Sequence, residues 1–331
     1  MINQQNTQLD QYDYVMSVRA VRAGRFIADV GQPRFLMVPD GEDPLPGDAV
    51  AANGWYKAVR ARSIWQNAQG EERGDILFIV HGYNLSETEV MQRHRLLTQD
   101  LRALGFLGVV VSFDWPSDDK ALAYLPDRHR AKRSAIELVS SGISYLSGKQ
   151  MPDCTINIHL LGHSTGAMVI REAFDDADDT ALGNSGWSVS QILFAAADVS
   201  SDSLAADNPG AESVYRHCIR LTNYSNRHDE ALDLSNAKRL GIEARAGRIG
   251  LPTDSPAKAV NVDCSAYYQH LSNEPSVAAT DQTAFVGLPS HSWFFGNRVF
   301  TRDLFATLTG VDRSSIKSRT TDGSGALVLK R

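Results

Sequence analysis

Cysteine is scarce in this chain, and its scarcity excludes several chemistries. Cys154, Cys218 and Cys264 are the only three among 331 residues, widely spaced and without a C-x-x-C pair. Neither a disulfide framework nor a cysteine metal or redox centre is expected from such usage, and thiols at the edges of strand-like runs read as small buried side chains. Long apolar runs are missing too. Nothing approaches the roughly 18–20 residues that cross a bilayer, so no transmembrane segment is expected. The start, Met1-Ile2-Asn3-Gln4-Gln5, lacks the cationic segment and apolar core of a secretory signal, and a cytoplasmic location is the default expectation. With 33 Lys and Arg against 39 Asp and Glu, the net charge is −6 and no basic block stands out. No nucleic-acid partner is expected on electrostatic grounds. There is no H-E-x-x-H, no carboxylate–histidine metal spacing, and no glycine-rich phosphate loop or dinucleotide fingerprint after the first strand. Neither a metal nor a cofactor is expected.

What is present is a composition of 43% hydrophobic and 22% charged residues, suited to one large α/β domain or two smaller ones. Residues 1–74 read as strands and turns, a β-rich segment expected to share a domain with the chain from Asp75 on. From Asp75 the rhythm becomes strand, loop, helix. Residues 76–80 form an apolar run of strand length, followed by Ser86-Glu87-Thr88-Glu89, a capping box that opens a helix through Leu104. Residues 108–113 form the next strand, 127–146 a helix, and 156–161, 191–197, 218–224 and 259–264 further strands, the last taken as final. Strands alternating with helices predict a mostly parallel central sheet flanked by helices on both faces. Residues 75–311 are read as the main α/β domain. Residues 312–331, rich in Ser, Thr, Gly and charge, are read as a mobile tail, although 326–329 could dock as a late strand.

The most informative stretch is Gly162-His163-Ser164-Thr165-Gly166. It follows the apolar run 156–161 and precedes the helix-like 167–174. A strand that turns sharply at G-x-S-x-G into a helix is a nucleophile elbow, with glycines where a Cβ would crowd the turn. The helix N-terminus behind Ser164 favours developing negative charge. The pattern alone is weak, and the bland reading is a glycine-bounded turn with an incidental serine. Its context decides: an oxyanion loop must lie upstream, and an acid and a histidine downstream in that order.

His81-Gly82-Tyr83-Asn84 directly follows the strand at 76–80. Its main chain would supply one oxyanion donor, Tyr83 or alternatively Asn84, and Thr165 would supply the other. For the acid, Asp229 follows the strand ending near Tyr224 and is the first choice, although a carboxylate there also suits a helix N-cap. Asp198, after the strand at 191–197, is the runner-up. Whichever carboxylate reaches the imidazole fixes its tautomer. Of nine histidines, only His270 and His291 follow the last expected strand, and His270 follows it too soon. His291 is therefore the expected general base. His163 reads as packing beneath the elbow, His81 as ordering its loop through hydrogen bonds, Trp115 as packing near the site, and Asp114 as structural.

These residues resemble the α/β-hydrolase superfamily, in particular a bacterial branch with H-G-Y-N, W-P-S, G-H-S-x-G, D-x-A-L and a terminal H-S-aromatic-aromatic. In this chain the motifs fall at 81–84, 115–117, 162–166, 229–232 and 291–294, and the likeness spans about 75–308. Two departures bear on acyl preference: Thr165 stands where Met is common, and Trp293 where a smaller aromatic is. The resemblance implies an α/β-hydrolase fold and cofactor-free hydrolysis of a small carboxylic ester by Ser164, His291 and Asp229 through an acyl-enzyme. Lipid esters enter if residues 121–125 or 267–288 form an apolar lid. Lipase, phospholipase or thioesterase activity would use the same machinery. A rival of a different class is a hydrolase-fold interaction protein with idle machinery, against which the intact Ser, Asp, His order speaks.

Overall fold

The computed structural model describes residues 11–83, 85–117, 124–147, 156–237, 243–281 and 287–331. Cys154 and Asn84, the alternative oxyanion donor, lie outside them. The chain divides into two units. The first comprises Met1–His94, Leu107–Leu160 and Val169–Val189, and the second Arg95–Phe106, Leu161–Met168 and Ser190–Arg331.

In the first unit, β1 (Tyr12–Arg22) and β2 (Arg25–Pro39) form an antiparallel hairpin. Its two turn residues, Ala23 and Gly24, both have positive φ (50° and 73°), the backbone hand that matches the twist of the flanking strands. β3 (Ala49–Val50) extends the edge beyond β2. The other side of β1 pairs in parallel with β6 (Val109–Asp114), which pairs in parallel with β5 (Glu72–Val80). The short β4 (Ile64–Gln66) runs antiparallel to β5. Residues 76–80 and all of β6 are buried at successive positions, so these strands are covered on both faces, as their uninterrupted apolar runs require.

A helix occupies a place where the sequence suggested only strands and turns. This is α1 (Ala52–Ser63), which buries Trp55, Tyr56, Val59 and Ser63 along one face. Trp55 Nε1 donates to Leu36 O at 3.0 Å, tying the helix to β2. Its N-cap, Ala51, makes no side-chain cap bond, so the usual start signal is missing. α2 (Glu87–Ala103) starts behind the expected capping box, in which Ser86 N donates to Glu89 Oε2 and Glu89 N to Ser86 Oγ. α3 (Tyr124–Glu137) continues through a π-helical stretch, Leu138–Ile143. β7 (Ile156–His163) then leads into α4 (Thr165–Asp178).

In the second unit β8 (Val189–Ala195), β9 (Cys218–Ser225), β10 (Ala259–Asp263), β12 (Leu327–Leu329) and β11 (Arg319–Thr321) are neighbours in that order. The β9–β10 and β10–β12 pairs are parallel. The longer helices here are α5 (Pro209–Arg216), α6 (Glu230–Ala237), α7 (Ser265–Asn273) and α8 (Arg298–Leu308).

One expectation is corrected: β10 is not the last strand. Residues 312–331 carry β11 and β12, and β12 falls within the stretch 326–329 that could dock as a late strand. Arg319, 5% exposed, donates to Asp303 on α8 through Nη2 at 2.6 Å and Nε at 2.9 Å, and to Thr307 Oγ1 at 2.8 Å. Tyr224 OH from β9 reaches the same carboxylate at 2.8 Å. A bidentate guanidinium–carboxylate pair of this kind holds a polar segment that composition alone would leave in solvent.

Candidate active site

The turn at the end of β7 has the backbone of an elbow. Ser164 has φ 57°, a left-handed conformation that costs a non-glycine residue roughly 1–2 kcal/mol and persists only where neighbours impose it. Those neighbours are identifiable. Ser164 N donates to Ala195 O at 3.0 Å, and Ser164 O accepts from Asp198 N at 3.0 Å and Ala167 N at 3.1 Å. Thr165 opens α4, so its N–H is one of the amides without an acceptor in the preceding turn.

A second tight crossing supports the first. Ala196 also has positive φ (50°), and the stretch leaving β8 is bonded to residues 244–247. Ala246 N donates to Val199 O at 2.9 Å, and Gly247 N to Ala197 O at 3.0 Å. A Cβ on Gly247 would fall 2.2 Å from Ala197 N, so only glycine allows this approach. Gly247 O in turn accepts from Asn226 N at 2.8 Å, joining the exits of β8 and β9.

Asp229 and His291 are brought together. Asp229 is fully buried, and His291 Nδ1 donates to its Oδ2 at 2.7 Å. Its Oδ1 accepts from Leu232 N at 3.0 Å, so the helix-cap role and the partnership with histidine are both filled, one oxygen each. A carboxylate at Nδ1 places the imidazole proton there and leaves the Nε2 lone pair available to accept one. Asp198 is otherwise engaged: its Oδ1 accepts from Ser235 Oγ at 2.9 Å and lies 3.4 Å from Nε of the buried Arg245. His270 lies on α7, paired with Glu274 at 3.1 Å.

His291 lies in a single helical turn, Pro289–Ser292, rather than a loop. Among the described residues no hydrogen bond joins Ser164 Oγ to His291. The link between elbow and histidine is instead His163, whose Nε2 donates to His291 O at 2.9 Å. Nucleophile–base contacts are often long in free enzymes and tighten with substrate.

The first unit holds the motif residues 81–83. A carbonyl oxygen only accepts, so His81 Nδ1 carries a proton toward Gly82 O at 2.8 Å, and Nε2 lies 3.1 Å from Trp115 N and 3.2 Å from Asp114 Oδ1. Trp115 stacks on His81 (centroids 5.2 Å, planes 7° apart), and its Nε1 donates to His81 O at 2.8 Å. Asp114 is structural: it accepts from Ser17 Oγ at 2.7 Å and Arg19 Nε at 2.8 Å. Burial works to raise its pKa, but Arg19 and His81 outweigh burial and hold it down at about 2. Arg19 also donates to Ser117 O and Leu85 O, each at 3.2 Å, so it grips the chain just beyond Tyr83. Nothing in the sequence singled out Arg19. Register shifts on either side of it in β1 mark the irregularity.

Of the two lid candidates, residues 121–123 and 282–286 lie outside the described residues. Tyr267 and Leu271 are buried on α7, and Tyr267 OH donates to Asp281 Oδ2 at 2.9 Å, so this part packs inward. Cys218 and Cys264 are buried free thiols, and burial pushes Cys218 up to about 12. That makes it a poor nucleophile at neutral pH. No helix among the described residues is long and apolar enough to cross a membrane.

A family model described as "Alpha/beta hydrolase of unknown function (DUF900)" matches residues 57–261. No curated protein matches the chain. Among solved structures, Aspergillus fumigatus lipase B is 14% identical, with 88% of this chain and 63% of that one covered, at TM-score 0.39. A lipase-esterase related protein from Clostridium acetobutylicum ATCC 824 is 10% identical (60% and 88% covered, TM-score 0.33). The RedJ thioesterase from the prodiginine biosynthetic pathway of Streptomyces coelicolor is 13% identical (57% and 77% covered, TM-score 0.30).

Proposed function

The chain belongs to the α/β-hydrolase family, and from that premise we propose that it is a serine hydrolase that cleaves carboxylic esters through an acyl-enzyme. The observation that carries this reading is the buried Asp229 carboxylate 2.7 Å from Nδ1 of His291, whose own carbonyl is bonded to the residue preceding a positive-φ serine.

The chemistry follows from those positions. Ser164 Oγ attacks the ester carbonyl while His291 Nε2 takes its proton. Asp229 holds the proton on Nδ1 and offsets the imidazolium charge that forms. The Thr165 N–H, at the start of α4, donates to the carbonyl oxygen as it becomes negative; a donor of this kind is worth roughly 3–4 kcal/mol of barrier. His291 then protonates the leaving alcohol, and water deacylates Ser164 by the reverse sequence.

Purified protein is expected to release a stoichiometric burst of chromophore from an activated ester, followed by slower turnover, and Ser164→Ala is expected to do neither. Full esterase activity in Ser164→Ala would sink the reading. A panel of esters and thioesters of graded acyl and alcohol size then defines the preference set beside Thr165 and Trp293.

A further inference from the structure

The carbonyls on either side of the His291 α-carbon, those of Ser290 and His291, end a helical turn. Pro289–Ser292 is a single turn, its first amide bonds running from His291 N and Ser292 N to Leu288 O at 3.0 and 2.9 Å. Terminal carbonyls of a helix lack intrahelical partners and need donors from elsewhere when buried. Ser290 and His291 are both buried, and each carbonyl receives one side-chain donor. Asn226 Nδ2 donates to Ser290 O at 3.0 Å, and His163 Nε2 to His291 O at 2.9 Å.

The origin of the donors matters. His163 immediately precedes Ser164, and Asn226 stands three residues before Asp229. Each tether therefore ties the main chain of His291 to the backbone that carries one of the other two groups. The donor roles are fixed by their surroundings. Asn226 Oδ1 accepts from His228 N at 3.1 Å, and Asn226 O from Asp229 N at 3.0 Å, which leaves the amide nitrogen facing Ser290 O. His163 faces a carbonyl, so Nε2 must carry a proton. Its ring lies 4.8 Å from that of His291 and 5.2 Å from that of Phe295, in a buried setting where a hydrogen bond competes little with water.

We propose that His163 and Asn226 are positioning residues that hold the His291 turn by its two flanking carbonyls and so set the reach of the base toward Ser164 and Asp229. The role rests on reading Ser164, His291 and Asp229 as the reacting set. It gives the variable position of this G-x-S-x-G a task beyond filling space: the elbow carries the nucleophile and also anchors the base.

The test compares His163→Phe, which keeps a buried ring without a donor, with His163→Gln, whose amide restores one. Each is assayed for kcat and KM on a chromogenic ester, for the low-field proton resonance of the His291 Nδ1–H bonded to Asp229, and for melting temperature. His163→Phe is expected to lower kcat about 10–100-fold, the scale of an ångström-sized misplacement, with KM within about threefold. It should also shift or broaden the low-field resonance, and His163→Gln should recover most of both. A folded His163→Phe with kcat within about twofold of wild type and an unchanged resonance overturns the proposal. So does a loss of kcat that His163→Gln leaves uncorrected while the resonance stays in place. Should His163→Phe not fold, Asn226→Ala, read by the same two signals, decides. Wild-type protein without ester turnover would remove the serine-hydrolase reading, whereas the resonance still reports whether the tethers place the His291 ring.

Discussion

On the proposed serine-hydrolase reading, replacing Asp229 by Asn is expected to separate catalysis from folding, because the two oxygens of this carboxylate have different partners. Oδ1 accepts from Leu232 N at 3.0 Å and caps α6, while Oδ2 accepts the His291 Nδ1 proton at 2.7 Å. Asparagine can keep its oxygen on Leu232 N and thereby present its NH2 to Nδ1. The imidazole must then accept at Nδ1 and carry its proton on Nε2, where it cannot take one from Ser164. The expected loss in kcat is about 10⁴-fold, equivalent to roughly 5.5 kcal/mol of barrier. Stability should fall by no more than about 1 kcal/mol, since the cap survives. Asp198→Asn should do the reverse. It leaves Arg245, 1% exposed, facing an uncharged partner with the half-exposed Glu243 still 3.5 Å away. A cost on the order of 2–4 kcal/mol in stability is expected, with little change in kcat for folded protein. Steady-state kinetics on a chromogenic ester and urea denaturation of both variants provide the comparison. A larger loss of kcat in Asp198→Asn than in Asp229→Asn would refute the assignment of the acid.

Other outcomes are set by the packing. Asp114 has a depressed pKa, so its ionised form stabilises the fold above the unfolded value of 3.8, and that contribution disappears as pH falls toward about 2. The stability difference between wild type and Asp114→Asn, measured by urea titration, should shrink by on the order of 2 kcal/mol from pH 5 to pH 2; a pH-independent difference would contradict this. Arg319→Met should cost about 3–5 kcal/mol by leaving Asp303 buried without its guanidinium, and a change under about 0.5 kcal/mol would show that the tail is not held this way. Gly247→Ala should destabilise by at least about 2 kcal/mol, because its Cβ would meet Ala197 N at 2.2 Å; an unchanged denaturation midpoint would mean that the crossing can open without cost.

The parts of the fold most legible in the sequence are those where local pattern and tertiary environment agree. The apolar runs in β5 and β6 and at the end of β7 are covered on both faces, so an uninterrupted run suffices to mark them. α1 escapes a reading of the sequence because it lacks a cap and signals itself only by Trp55, Tyr56 and Val59 at helical spacing. β11 and β12 escape it because what holds them is one long-range pair, Arg319 with Asp303, in a segment whose composition is that of a loop. At the site, the order of Ser164, Asp229 and His291 can be read from the chain. That His291 meets Asp229 while Asp198 meets Arg245 cannot, since both carboxylates follow a strand and only the three-dimensional path of residues 244–247 sets them apart. Asn226 and Arg19 leave no local signature, because a buried side-chain amide or guanidinium gains its meaning from a carbonyl far away in sequence.

The central claim is that Ser164 is the nucleophile. Exposure of the protein to a fluorophosphonate, followed by mass spectrometry of its peptides, should find a single adduct on Ser164, absent from Ser164→Ala and slowed by His291→Gln. An adduct on another residue, or none on a protein that still hydrolyses esters, would contradict it.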